Sequence, residues 1–309
     1  MPQKRRNCPK KIRYTLLRIN FSKESLTADP MLTDPRIRYL ILAVAWLAVT
    51  AGVIYSVREN PAILEHVRWM PIMIIIGALA PLTLLCNALG LRASAQLVGQ
   101  NKELGTALKI STSATIANQL PLPAAFMMRV AALRSTSTSL AESIKATFFV
   151  SLMWMACALF AAAAAGYALG ATAIATILAL PAIIALIYGN HRLKRKPGKL
   201  FGKIVLLGIA LSAIDTVRVY ACFGAMGINV DLLECLYLTA SSAFANAATF
   251  IPGGVGIREY LAAGLATATD IPPSQALIAA TMNRVTGLLS AGILLFLLDI
   301  NRDSATPNH

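Results

Sequence analysis

Residues 70–91 read MPIMIIIGALAPLTLLCNALGL and contain no Asp, Glu, Lys or Arg. The stretch 146–170 is equally free of charge. Crossing a hydrocarbon core of about 30 Å takes about 20 apolar residues, and both stretches reach that length. In soluble domains roughly one residue in four is charged; here the charged fraction is 14% and the hydrophobic fraction 57%. A chain of 309 residues has enough length for a large soluble core, but its apolar residues are gathered into runs instead of being scattered. The pattern predicts an all-α, polytopic membrane protein.

Working outward, segments 39–57 and 70–91 read as a first pair of spans, and 146–166 and 171–188 as a second. Segments 204–226 and 275–298 complete six full transmembrane helices. Small residues at 161–166 and Gly170 permit close helix approach in lipid, and Pro181 predicts a kink. Two further apolar stretches, 104–120 and 232–251, end in Asn-Gln-Leu-Pro-Leu-Pro and Pro-Gly-Gly-Val-Gly. Each is followed by a weakly amphipathic segment, 126–133 or 257–268, so two broken or re-entrant helical hairpins are expected. The two regions resemble one another. Asn118, Pro123 and Arg129 recur in order as Asn246, Pro252 and Arg258, and Ala146-Thr147 as Ala280-Thr281. That order suggests an internal duplication with halves 38–166 and 171–300. Three spans and one hairpin per half would make it an inverted repeat, an arrangement found in transporters. Eight simple spans is the alternative.

The net charge is +14. Ten of the 28 Lys and Arg residues precede Tyr39, and six lie between Arg192 and Lys203. Both clusters border spans, as cytoplasmic loops do, and a basic tail attracted to anionic lipid accounts for them without nucleic acid. The expected plan is a cytoplasmic tail 1–37, an integral membrane domain 38–300 and a short polar tail 301–309, in the cytoplasmic membrane. The first 35 residues lack the apolar region of a signal peptide. The five cysteines and three histidines show no metal-ligand spacing, and no cofactor is expected.

Among polar residues, the most specific stretch is Phe250-Ile-Pro-Gly-Gly-Val-Gly-Ile-Arg-Glu259. Gly253, Gly254 and Gly256 allow tight turns. A helix beginning near Ile257 would offer free N–H groups to an anion, and Arg258 would add a permanent charge suited to phosphate. The other reading is a glycine-rich turn with Arg258 and Glu259 in interfacial water. Asp215 and Arg218 share a helix face at a spacing of three and form either a self-neutralising ion pair or part of a site. Arg284, beside Asn283 and well inside a span, has no acid within a helical turn, so Glu259 and Asp215 are its candidate partners. Ser139–Glu142 and Asp231–Glu234 read as capping boxes. No Walker motif, Ser–His–Asp set or metal cluster appears in the sequence, and an enzyme is not expected.

At these residues the chain resembles a known family. The stretch 251–259, followed by Ala-Ala-Thr-Met-Asn-Arg284-Val-Thr-Gly in the last span, is similar to the signature of the lysylphosphatidylglycerol synthase transmembrane-domain family, a flippase-like group. The resemblance covers roughly residues 38–300. In the first half Asn118, Pro121, Pro123 and Arg129 keep the family's frame, while 124–127 (Ala-Ala-Phe-Met) replaces its glycine–acid pair. The resemblance implies a module that moves or handles a lipid between leaflets. Full-length synthases of this kind carry a soluble aminoacyltransferase domain; the sequence ends at His309 without one, so lysyl transfer by this chain alone is not expected.

The expected substrate is a membrane lipid with an anionic or polar headgroup, held by Arg258, Glu259, Arg284 and the glycines, with Asn118 and Arg129 as the first-half surface. Two other readings stand beside it. One is a membrane-embedded enzyme or subunit acting on polyprenyl- or glycolipid-linked substrates. The other is a scaffold for a partner synthase.

Overall fold

A computed structural model describes residues 35–59, 61, 67–118, 124–135, 138–193, 199–247 and 256–303. Most of the basic tail, the basic segment 194–198, the end of the polar C-terminal tail, and Gly253 and Gly254 lie outside the described residues. The described chain is helical: α1 (Pro35–Glu59), α2 (Trp69–Leu97), α3 (Leu104–Ala117), α4 (Ala124–Leu133), α5 (Leu140–Ala168), α6 (Thr172–Leu193), α7 (Lys199–Ala225), α8 (Leu232–Leu238), α9 (Ala240–Ala247), α10 (Ile257–Ala266) and α11 (Pro273–Asp303). Helices α2, α5, α6, α7 and α11 are each long and apolar enough to cross a membrane. Five of the six expected spans are therefore present, α1 contributing the shorter apolar stretch Leu47–Arg58, and the chain is a multi-pass all-α membrane protein.

Local chemistry sets several boundaries. Ser139 Oγ accepts from the Glu142 amide at 3.2 Å, while the Glu142 carboxylate accepts from the Ser139 amide at 3.0 Å. This reciprocal cap starts α5 some residues before its charge-free run begins. The Glu234 carboxylate accepts from the Asp231 amide at 2.9 Å and starts α8 similarly. Between α5 and α6, Gly170 adopts φ +79°, a conformation that costs glycine little. Helix α6 continues through Pro181. Within α2, residues Ile75–Leu79 form a π turn, and the Ile76 carbonyl there accepts from Ser290 Oγ of α11 at 2.9 Å.

Small residues set the helix spacing. A Cβ at Gly90 of α2 would lie 1.9 Å from the Trp154 ring of α5, and one at Gly208 of α7 would lie 3.0 Å from Cys157 Sγ. Because lipid tails are as apolar as leucine, such close packing, not hydrophobic exclusion, associates helices here.

The two short helix pairs are hairpins. At about 1.5 Å per residue, the 14 residues of α3 span only about 21 Å and the 10 of α4 about 15 Å, well short of a membrane. Gln100 Nε2, just past α2, donates to the Leu133 carbonyl at 2.6 Å and to Thr138 Oγ1 at 2.8 Å. The α3/α4 hairpin therefore enters and leaves at one end of the bundle. At the other end of α2, the Arg68 amide donates to the Ala225 carbonyl at 2.8 Å. There Met226, Ile228 and Val230, which lead into α8, share an apolar cluster with Ala266, which ends α10, and Ile271, which follows it. The second hairpin, α8–α9/α10, thus enters from the opposite end.

Packing is reciprocal between the halves. Helix α3 packs on α11 as α9 packs on α5; α1 packs on α11 as α6 packs on α5; α2 and α7 meet at the centre.

Sidedness can be tested with a membrane-impermeant maleimide on variants that lack the five native cysteines. Asn101→Cys and Ser135→Cys are expected to react from one side, and Asn229→Cys and Asp270→Cys from the other. Modification of all four from the same side would overturn opposed entry.

Candidate functional site

The tips of both hairpins reach one cavity of about 520 Å³ between the halves. From the first half, Asn118, Phe126 and Arg129 line it; from the second, Asp215, Arg218, Arg258 and Arg284 do. This lining follows from where the hairpins break. Irregular backbone is tolerated at membrane depth only when protein covers it or it lines a cavity.

Gly256, at φ +85°, turns the chain into α10. Glu259 then folds back so that its Oε2 accepts from the Gly256 amide at 3.0 Å. The same carboxylate reaches across to α11, where Arg284 Nε lies 2.8 Å from Oε1 and Nη2 donates to Oε2 at 3.3 Å. Glu259 is fully buried and the Arg284 side chain 9% exposed. An arginine at mid-span costs about 2.5–3.5 kcal/mol on insertion scales, and an isolated buried carboxylate is also costly. Each is tolerable here because the other stands beside it.

Asp215 on α7 forms the second centre. It accepts from Arg258 Nη2 at 3.2 Å and from Asn283 Nδ2 at 3.0 Å. Asn283, wholly buried, also ties down Arg218: its backbone carbonyl accepts from Arg218 Nη2 at 2.7 Å. Gly287, one turn further along α11, makes the space for that guanidinium, since a Cβ there would lie 2.7 Å from Nη2.

The expected Asp215–Arg218 ion pair is corrected by this arrangement. Among the described residues, the ion pair of Asp215 is with Arg258, and Arg218 turns to the α11 backbone. A spacing of three puts two side chains on one face. It does not outweigh a second arginine delivered by another helix.

The remaining expected residues fall in place as follows. Arg258, Glu259, Arg284, Asn118 and Arg129 line or back one cavity, Gly256 forms the turn beneath it, and Gly253 and Gly254 lie outside the described residues. Asn283, Asn87, Ser212 and Trp154 also belong to the lining or its network. Polar residues inside apolar runs were the available signal for the first three. Trp154 gave none, because an aromatic residue within a span reads as core.

Removing one member of a buried ion pair leaves the other charge uncompensated and typically costs about 3–5 kcal/mol. Glu259→Gln is therefore expected to lower the thermal unfolding midpoint in detergent markedly. The double variant Glu259→Gln/Arg284→Met should recover much of the loss. Equal midpoints for wild type and Glu259→Gln would show that the pair does not hold α10 to α11.

The chain matches no curated protein. A family model described as "Lysylphosphatidylglycerol synthase TM region" matches residues 40–294, a range that runs from α1 to within the last turns of α11 and contains both hairpins and every charged residue of the cavity. By that match, over most of its length, the chain belongs to the lysylphosphatidylglycerol synthase TM region family.

Proposed function

We propose that the protein is a flippase-like carrier that moves or handles a lipid between bilayer leaflets, with the headgroup in the cavity between the two hairpin tips. The observation that carries this reading is the meeting of opposed hairpins at an arginine-lined cavity inside a helix bundle. Half-helix ends converging on a central site are the arrangement of secondary transporters. Arg258 and Arg284 are the headgroup-binding residues, and Asp215 and Glu259 orient them through the ion pairs described above. Arg129 and Asn118 supply the facing surface. Acyl chains need no polar path, because they remain in lipid throughout.

The reciprocal helix packing supports an inverted repeat with halves 38–166 and 171–300. Placing the basic segment between α6 and α7 in the cytoplasm puts the end of α7 outside. The Arg68–Ala225 hydrogen bond then puts the start of α2 outside as well, which leaves the N-terminal tail cytoplasmic. In this reading α3/α4 enters from the cytoplasm and α8–α9/α10 from the outer face of the cytoplasmic membrane.

The test is leaflet translocation of labelled lipids in proteoliposomes: phosphatidylglycerol, its lysyl form and a polyprenyl phosphate. At least one is expected to move, and Arg258→Ala or Arg284→Ala to slow it about tenfold or more, since each removes a charged hydrogen bond of about 1.5–3 kcal/mol. Folded wild-type protein that moves none of them would refute the carrier reading.

A further inference from the structure

Four arginines line the cavity: Arg129, Arg218, Arg258 and Arg284. Guanidinium groups remain protonated in proteins. Two carboxylates answer them, Asp215 in the lining and Glu259 directly behind Arg284. Positive charge is thus in excess by two. The sequence segments 119–123 and 248–255, outside the described residues, contain no charged residue.

One of the two excess charges is Arg218, which is held by the α11 backbone; the other is Arg129 in the first half. None of the ion pairs among the described residues includes Arg129, and its Nε is buried without an acceptor. The internal repeat accounts for this. The register that sets Arg129 against Arg258 sets Cys86 against Asp215, the partner of Arg258, and Val130 against Glu259, and both Cys86 and Val130 are buried. The second half keeps its hairpin arginine together with two carboxylates, Asp215 paired with Arg258 and Glu259 with Arg284, whereas the first keeps only the arginine. Trp154 Nε1 is a further buried donor without an acceptor, and it lines the same cavity. Unanswered charge inside a membrane protein faces a partner or a watery cavity. Among the described residues no carboxylate forms an ion pair with Arg129.

We propose that the cavity takes a dianionic phosphomonoester headgroup, with Arg129 holding the second negative charge, in preference to a phosphodiester or a headgroup bearing an ammonium. This rests on the reading of the cavity as a headgroup site. A terminal phosphate presents three oxygens to planar guanidinium forks and carries close to two charges at neutral pH, which matches the excess. An aminoacylated diester would bring a further cation to a cavity already short of anions. A lipid is favoured over free phosphate as the source, because Phe126, Phe148, Leu152, Met155 and Leu288 form apolar walls. Phe148, 57% exposed, carries that wall to the outer surface of the bundle, where a hydrocarbon chain would leave.

The test uses the full chain in nanodiscs, with Trp46→Phe and Trp69→Phe leaving Trp154 as the only one of the three tryptophans. Its fluorescence then reports binding independently of transport. The probes are phosphatidic acid, phosphatidylglycerol and lysyl-phosphatidylglycerol with the same acyl chains, and inorganic phosphate. At about pH 8 phosphatidic acid is expected to bind about tenfold tighter than phosphatidylglycerol, as one added charge-assisted contact allows. The preference should shrink as pH falls through about 6, where the second phosphate proton returns. Arg129→Gln should remove the preference, and Arg129→Lys should keep part of it, which also serves if the glutamine variant fails to fold. Equal affinity for phosphatidic acid and phosphatidylglycerol, tighter binding of the lysyl lipid, or an unchanged preference in folded Arg129→Gln would each overturn the proposal. Arg129-dependent binding of inorganic phosphate but of no lipid would uphold the phosphate chemistry and remove the lipid carrier reading. Translocation of the lysyl lipid, indifferent to Arg129→Gln, would do the reverse.

Discussion

The central constraint on this molecule is the cost of holding ionised groups within the span of a membrane. Asp215, Glu259, Arg258 and Arg284 are tolerated because each acid meets an arginine from another helix, at 3.2 Å and 2.8 Å. Helices α7, α10 and α11 are held in one relative position by those pairs and by Asn283, which serves Asp215 with its side chain and Arg218 with its backbone. Displacing any of the three helices would leave a charge without its partner. The position of the second hairpin tip is therefore an electrostatic matter as much as one of packing.

A second constraint follows from length. Helices α3, α4, α8, α9 and α10 are each too short to cross the hydrocarbon. Their ends must be covered by protein or open into a cavity. Each hairpin's leading helix packs on the last long helix of the other half, α3 on α11 and α9 on α5, so each half shields the broken backbone of its counterpart. Glycines at the contacts, Gly90 and Gly208 among them, let the central helices come close enough to do this. The cavity lies between the ends of the short helices, where Asn118, Phe126 and Arg129 face Ala245 and Arg258.

The halves share a layout but not a charge balance. In the second, Arg258 of the hairpin pairs with Asp215 of α7 and the next residue, Glu259, ties α10 to Arg284 of α11; in the first, Val130 follows Arg129, which lines the cavity and is in no ion pair among the described residues. The two hairpins thus differ in charge, Arg258 and Glu259 both being paired while Arg129 is in no ion pair among the described residues. That asymmetry gives the cavity a sign, and with it a basis for discriminating among headgroups that fit its volume.

The sequence by itself determined the membrane class, the five long apolar helices and the places where shorter ones interrupt them. Long charge-free runs have only one inexpensive environment, and Pro and Gly break helices locally. It also marked Arg258, Glu259, Arg284, Asp215 and Arg129, because charge inside an apolar run demands an explanation wherever it occurs. Only the tertiary structure decided the partners. A spacing of three favoured Asp215 with Arg218, yet Arg258 arrives from another helix and takes that carboxylate. Trp154 could not be read as cavity lining, since its exposure depends on Gly90 and Gly208 of two other helices. That the hairpins enter from opposite ends was likewise beyond local pattern. It rests on contacts such as Gln100 with Leu133 and Arg68 with Ala225, whose members lie far apart in the chain and meet only when the bundle closes.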